Sequence, residues 1–375
     1  MAQVEGTTTE KYAKLTEVLQ LSLDNGADVG ASVAVFDKGE LVVDIWGGYA
    51  DAAKTQPWTK DTIVNVWSTT KTMTFLVALM LADQGLLDFR APVAKYWPEF
   101  AANGKGGIQV RHVMGHTAGL AGWSPTIKAE ELADWDLCTS VLAAQAPWWE
   151  PGTVSGYHAV TQGYLIGEIV RRITGTTIGN YFRTEVAEVV GADFHIGVPE
   201  SVDARVSFVI PPPTPDFSTL DKDSVAYRTF TSPVLSATLP HERWWRAAEI
   251  PAANGHGNAR SVATIQQIVA NRGELNGRRF FSEKTADSIF ETQAHGIDLG
   301  LGQETHFGMG YGLSSSTVPL GPRACYWGGY GGSSIIMDQD AQLTVAYMMN
   351  RMEGALSVDS RGADIAMHAF LASLS

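Results

Sequence analysis

Residues 75–82 (Phe-Leu-Val-Ala-Leu-Met-Leu-Ala) are apolar on every face of a helix, and Asp83-Gln84-Gly85 ends the run with a polar stop and a capping glycine. A helix without a polar face is stable only when other elements enclose it, so a helix over residues 65–85 is expected at the centre of the molecule. The run is too short to cross a bilayer, and no other apolar run is longer. Ahead of it stands Ser68-Thr69-Thr70-Lys71. Positions i and i+3 share a helix face, so the Ser68 hydroxyl and the Lys71 amine can meet. A desolvated lysine loses proton affinity, and its neutral amine can take a serine proton. The positive end of the helix favours an oxyanion beside it. The plainer alternative is a serine N-cap followed by a surface lysine; the apolar continuation favours burial.

Strand-like segments lie near both ends of the chain. Residues 31–36 and 41–46 flank Asp37-Lys38-Gly39-Glu40, which has hairpin-turn chemistry, and residues 334–337 and 343–349 flank Asp338-Gln339-Asp340. Helices are expected over residues 9–25, with Leu15, Val18, Leu19 and Leu23 at helical spacing, over 261–272 with Ser261 as cap, and over 361–374. The middle of the chain is mostly helical in pattern, with Pro211-Pro212-Pro213-Thr214-Pro215 as a surface loop. The expected class is α+β. Residues 1–64 and 311–375 would form an antiparallel sheet flanked by terminal helices, residues 65–310 an inserted mostly helical lobe, and the cleft between them the site.

The 375 residues suffice for one large core or two coupled lobes. A net charge of -13, spread over scattered acidic residues, argues against nucleic acid and anionic membrane surfaces as partners. Cys138 and Cys325 cannot make a disulfide framework, and the amino terminus lacks a basic segment followed by an apolar run. A cytoplasmic protein with reduced thiols is the expectation. The oligomeric state leaves no mark in the sequence.

Two further segments carry chemistry. Pro151-Gly152-Thr153-Val154-Ser155-Gly156-Tyr157-His158-Ala159 offers a phenol whose acidity a nearby lysine and helix end could raise; the alternative is a half-buried tyrosine anchoring a turn. Tyr326-Trp327-Gly328-Gly329-Tyr330-Gly331-Gly332-Ser333 lets backbone N–H groups approach an oxyanion; the alternative is a glycine-rich bulge on an edge strand. Other signals are weaker. His112 and His116 are spaced for a metal on a helix, but no third ligand stands nearby and Gly115 weakens the helix. His158 would point away from the site if its segment were helical, and His256 is expected in a solvent-exposed loop. No G-x-S-x-G pentapeptide occurs, and residues 307–312 do not make a dinucleotide fingerprint.

In order and spacing these three motifs resemble the serine hydrolases of the class C β-lactamase and penicillin-binding superfamily, most closely the family VIII carboxylesterases. The likeness runs from about residue 28 to the end and includes His116-Thr117-Ala118-Gly119-Leu120, Pro151-Gly152-Thr153 and Asn350-Arg351-Met352. It implies a β-lactamase/transpeptidase-like fold with no metal or organic cofactor. It also implies Ser68 as acylated nucleophile, Lys71 and Tyr157 as its proton partners, and the Ser68 and Tyr330 amides as oxyanion hole. The departures bear on substrate. Ala159 stands where the lactam enzymes carry an asparagine amide, and Trp327 stands where they carry a cation. With Gly328 and Gly329, and with Trp123 and Trp149 from the eleven tryptophans, these positions suggest a pocket for small to medium neutral esters. The alternatives are β-lactamase or D-amino-acid peptidase or amidase activity, acyl transfer through the same acyl-enzyme, and a non-catalytic binding homologue.

Overall fold

The computed structural model describes residues 3–354 and 359–375. Among these residues nine strands form one sheet. In chain order they are β1 (Glu5–Thr8), β2 (Gly30–Asp37), β3 (Glu40–Gly48), β4 (Ala294–Ile297), β5 (Glu304–Phe307), β6 (Gly312–Leu313), β7 (Ala324–Gly328), β8 (Ser334–Asp338) and β9 (Leu343–Met349). Their spatial order is β1-β3-β2-β9-β8-β7-β6-β5-β4, and every pairing is antiparallel. The two ends of the chain therefore meet where β2 pairs with β9, Val33 opposite Tyr347. Lys38 and Gly39 turn the first hairpin with φ of 52° and 88°, the two positive angles that match the twist of its strands.

All of β9 is buried, because helices cover both faces of the sheet there. Thr344 donates to Gln267 of the helix Ala259–Ala270 at 2.7 Å. Tyr347, on the opposite face by strand alternation, donates to Asp28 at 2.7 Å and lies under Gly362 of the helix Ser360–Ser373. That helix packs beside the amino-terminal helix Lys14–Asp24, so the terminal helices lie where the sequence suggests. The helix Ala259–Ala270 also packs on the sheet, and β4 and β5 precede residue 310, so the sheet layer recruits more of the chain than residues 1–64 and 311–375. Asn258, rather than Ser261, caps this helix. Its side chain accepts from the Ser261 amide at 2.9 Å, and the Ser261 hydroxyl accepts from the Asn258 amide at 3.0 Å.

The apolar segment is the helix Lys71–Asp83, entered through a 3-10 turn at Trp67–Thr70. Every residue from Lys71 to Leu81 is buried, and each large apolar side chain among them contributes roughly 1.5–3 kcal/mol. It packs against the helices Thr161–Thr174 and Ile178–Phe182 and against Ala259–Ala270, which joins the helical segment to the sheet. Among the described residues no helix is long and apolar enough to cross a membrane.

Candidate active site

The chain enters the site through Trp67, whose φ of 46° is left-handed. For a bulky side chain this is a strained conformation. Its ring is held between Trp245 and Tyr330, each with ring centroids 5.6 Å away, and Trp245 is fixed in turn by donating to Asn65 at 3.0 Å. The next residues wind as the 3-10 turn, in which side chains at i and i+3 eclipse. The Lys71 Nζ is accordingly 3.1 Å from the Ser68 Oγ. An α-helical first turn was the expectation; the tighter turn makes the approach more direct.

Lys71 has no exposed surface. Its amine also donates to the carbonyl oxygens of Ala159 at 2.7 Å and Ala252 at 3.0 Å. Among the described residues no carboxylate pairs with it, and burial holds its pKa well below that of an ordinary amine. The Tyr157 hydroxyl donates to the Ser68 Oγ at 2.7 Å. Here the expectation of a more acidic phenol is overturned. Burial raises its pKa, with Ser68 lowering it, Asp298 raising it and Trp327 lowering it in decreasing measure. Burial that weakens the proton affinity of Lys71 also weakens its ability to favour the phenolate.

The glycine-rich segment leaves β7 alongside this turn. A methyl group on Gly329 would stand 2.2 Å from the Val66 carbonyl oxygen and 3.2 Å from the Ser68 amide nitrogen, so only glycine permits the approach. Ser333 stitches the two together, donating to the Val66 carbonyl at 2.8 Å and sharing a 2.9 Å hydrogen bond with Thr69. Among the described residues no protein group accepts from the Ser68 or Tyr330 amides. Gly328 is exposed, and Ala159 and Tyr330 are half-buried.

The tryptophans divide. Trp327 is not a wall open to substrate. It is buried, stacked on His116 with centroids 5.7 Å apart, and meets Phe75 edge-on at 5.3 Å and the tilted ring of Phe307 at 5.7 Å. Trp123 belongs to the helical core: 2 % exposed, it packs on Tyr164 and donates to the Cys138 carbonyl at 3.0 Å. Trp149 lies over Gly156 and donates to the Val154 carbonyl at 3.0 Å, bracing the tyrosine segment. Composition counts aromatic rings; it does not say which way they face.

The histidines also need correction. His256 is fully buried, not in an exposed loop, its Nδ1 bonded to the Asn254 carbonyl at 2.8 Å. The segment around His158 is not helical, and its Nε2 accepts from the Leu120 amide at 3.0 Å. His112 closes a capping box with Gln109. Among the described residues no cluster of three or more histidine, cysteine, aspartate or glutamate side chains could hold a metal. Sequence reasoning missed Asp298, whose carboxylate accepts from the Tyr157 amide at 3.0 Å, and the Ala252 carbonyl, which as backbone has no signature at all.

A family model described as Beta-lactamase matches residues 16–369. The chain is 35 % identical to the Esterase/beta-lactamase LipL of Mycobacterium tuberculosis, over 86 % of this chain and 77 % of that one. It is 26 % identical to the Esterase EstB of Burkholderia gladioli, over 94 % of each. A crystal structure of a family VIII carboxylesterase superposes with a TM-score of 0.93 at 38 % identity, covering 99 % of this chain and 100 % of that one. With an S-x-x-K turn opening a buried helix, a tyrosine on the same hydroxyl and a full-length match, the chain belongs to the Beta-lactamase family.

Proposed function

We propose that the protein is a serine carboxylesterase working through a Ser68 acyl-enzyme on small to medium neutral esters. One observation carries the reading: the Ser68 Oγ lies 3.1 Å from a desolvated amine and 2.7 Å from a phenol. A neutral amine has two hydrogens and one lone pair. The Ala159 and Ala252 carbonyls take the two hydrogens, which turns the lone pair toward Ser68.

The division of labour follows. Ser68 attacks the ester carbonyl and its proton passes to Lys71. The Ser68 and Tyr330 amides hold the oxyanion, a role supported by the close passage of Gly329. Collapse expels the alkoxide, which takes the proton of Tyr157, a phenol kept protonated by burial. The Lys71 ammonium reprotonates the phenolate. Water then attacks the acyl carbon, its proton passing through the same pair, and Ser68 leaves as the hydroxyl. Ala159 and Trp327 offer neither the amide nor the cation that an acylamino carboxylate would need, which favours neutral esters over lactams. Two free, buried cysteines fit a reducing compartment, and we place the protein in the cytoplasm.

Incubation with short-chain p-nitrophenyl esters followed by intact-mass measurement tests this. An acyl adduct on wild type, absent from Ser68→Ala, is expected. Ester turnover surviving in Ser68→Ala contradicts it. A chromogenic cephalosporin turned over as fast as the esters would transfer the assignment to lactam hydrolysis.

A further inference from the structure

Tyr157 stands on a segment without regular secondary structure, yet its phenol is held at hydrogen-bond distance from Ser68. Three successive amides of that segment are gripped from outside it. Gly156 donates to the His116 carbonyl at 3.0 Å, Tyr157 to the Asp298 Oδ1 at 3.0 Å, and His158 to the His116 Nδ1 at 3.0 Å. Leu299 closes the grip by donating to the Ser155 carbonyl at 2.8 Å. Both side chains have no solvent exposure and are themselves fixed. The Asp298 Oδ1 also accepts from Gly300 and Leu301 at 2.8 and 2.9 Å, inside the turn between β4 and β5. The His116 ring is packed against Phe307 at 4.8 Å and Tyr157 at 5.0 Å, on a backbone with φ of 61°. Because its Nδ1 accepts, the neutral ring carries its proton on Nε2, and burial pushes its pKa well below the ordinary imidazole value.

We propose that His116 and Asp298 are positioning residues: together they clamp the amides of residues 156–158 and so aim the Tyr157 phenol at Ser68. The proposal rests on the acyl-enzyme reading above. Neither residue donates to or accepts from Ser68; each acts through the backbone of the tyrosine segment.

The test pairs removal with replacement. Asp298→Ala and His116→Ala lose the acceptor, and a phenol displaced by an ångström costs about 100-fold in kcat with little change in KM. Asp298→Asn keeps an Oδ1 acceptor. His116→Asn puts an oxygen near the place of Nδ1 and tolerates the left-handed backbone; both asparagine variants should recover most of the loss. Added to Tyr157→Phe, Asp298→Ala should lower kcat no further, since both changes disable one group. Amide hydrogen exchange of residues 156–158 should quicken in the alanine variants and stay slow in the asparagine variants. Full kcat in both alanine variants, equal losses in alanine and asparagine variants, or additive loss on Tyr157→Phe would overturn the clamp. If Asp298→Ala does not fold, the His116 pair carries the same comparison. Exchange reads the clamp without turnover, so a wild type that forms no acyl adduct refutes the esterase reading alone, while unchanged exchange refutes the clamp alone.

Discussion

Among the described residues two lysines are fully buried, and only one of them faces a hydroxyl. Lys105 closes the carboxy-terminal end of the helix Trp135–Ala144, donating to the carbonyls of Ala102 at 2.7 Å, Ala143 at 2.9 Å and Gln145. Three carbonyls are the full complement of an ammonium, and burial lowers the pKa of Lys105 only to about 8. Lys71 has two carbonyls and the Ser68 hydroxyl, and burial takes its pKa well below the ordinary value. Desolvation is common to both. The third partner separates them: a carbonyl can only accept, so Lys105 is a structural cap, whereas a hydroxyl can surrender its proton, so Lys71 can be a base.

That contrast can be broken at several points, beginning with the largest expected effect. Ser68→Ala removes the hydroxyl and should cut ester turnover by about 10⁵-fold or more, read by steady-state assay. Lys71→Met should cost about 10³-fold in kcat, and Tyr157→Phe about 10²–10³-fold, the range of a lost general base or acid. Lys105→Met should leave kcat intact and instead lower stability by about 1–3 kcal/mol for the carbonyls left unpaired, measured by denaturant unfolding. Equal losses of turnover in Lys71→Met and Lys105→Met would erase the distinction. The smallest effect is a slope. Between about pH 8 and 10.5 the unfolded chain keeps the Lys105 proton that the folded chain releases, so this group makes stability rise with pH in that window. The difference between wild type and Lys105→Met should therefore grow on going up from pH 8; a difference that shrinks there would contradict it.

The sequence showed the reacting groups better than the groups that hold them. Ser68 and Lys71 were legible because a short spacing on an apolar helix forces them together, and Tyr157 became so once its order with the other motifs was recognised. The Ala159 and Ala252 carbonyls were not, since every residue has a carbonyl and only the fold brings these two to Lys71. Asp298 and His116 act on residues far away in sequence or through backbone atoms. In the fold, β2, β3, β8 and β9 stood out as apolar β-branched runs, whereas β4 (Ala-His-Gly-Ile) and β5 (Glu-Thr-His-Phe) are four residues each and carry no apolar run. Trp123 and Trp327 were misplaced for a related reason: a large apolar ring suits a pocket wall and a core equally, and packing decides between them.

The central claim is that Ser68 is activated by a lysine whose proton affinity burial holds well below that of an ordinary amine. The acylation rate of Ser68, followed by rapid mixing with a p-nitrophenyl ester across pH, tests it most directly. The account predicts a rate whose rise with pH levels off well below 10.5, with an acid limb that vanishes in Lys71→Met. A rate in wild type still climbing tenfold per unit toward pH 10, as a lysine titrating at its ordinary 10.5 would give, would contradict it.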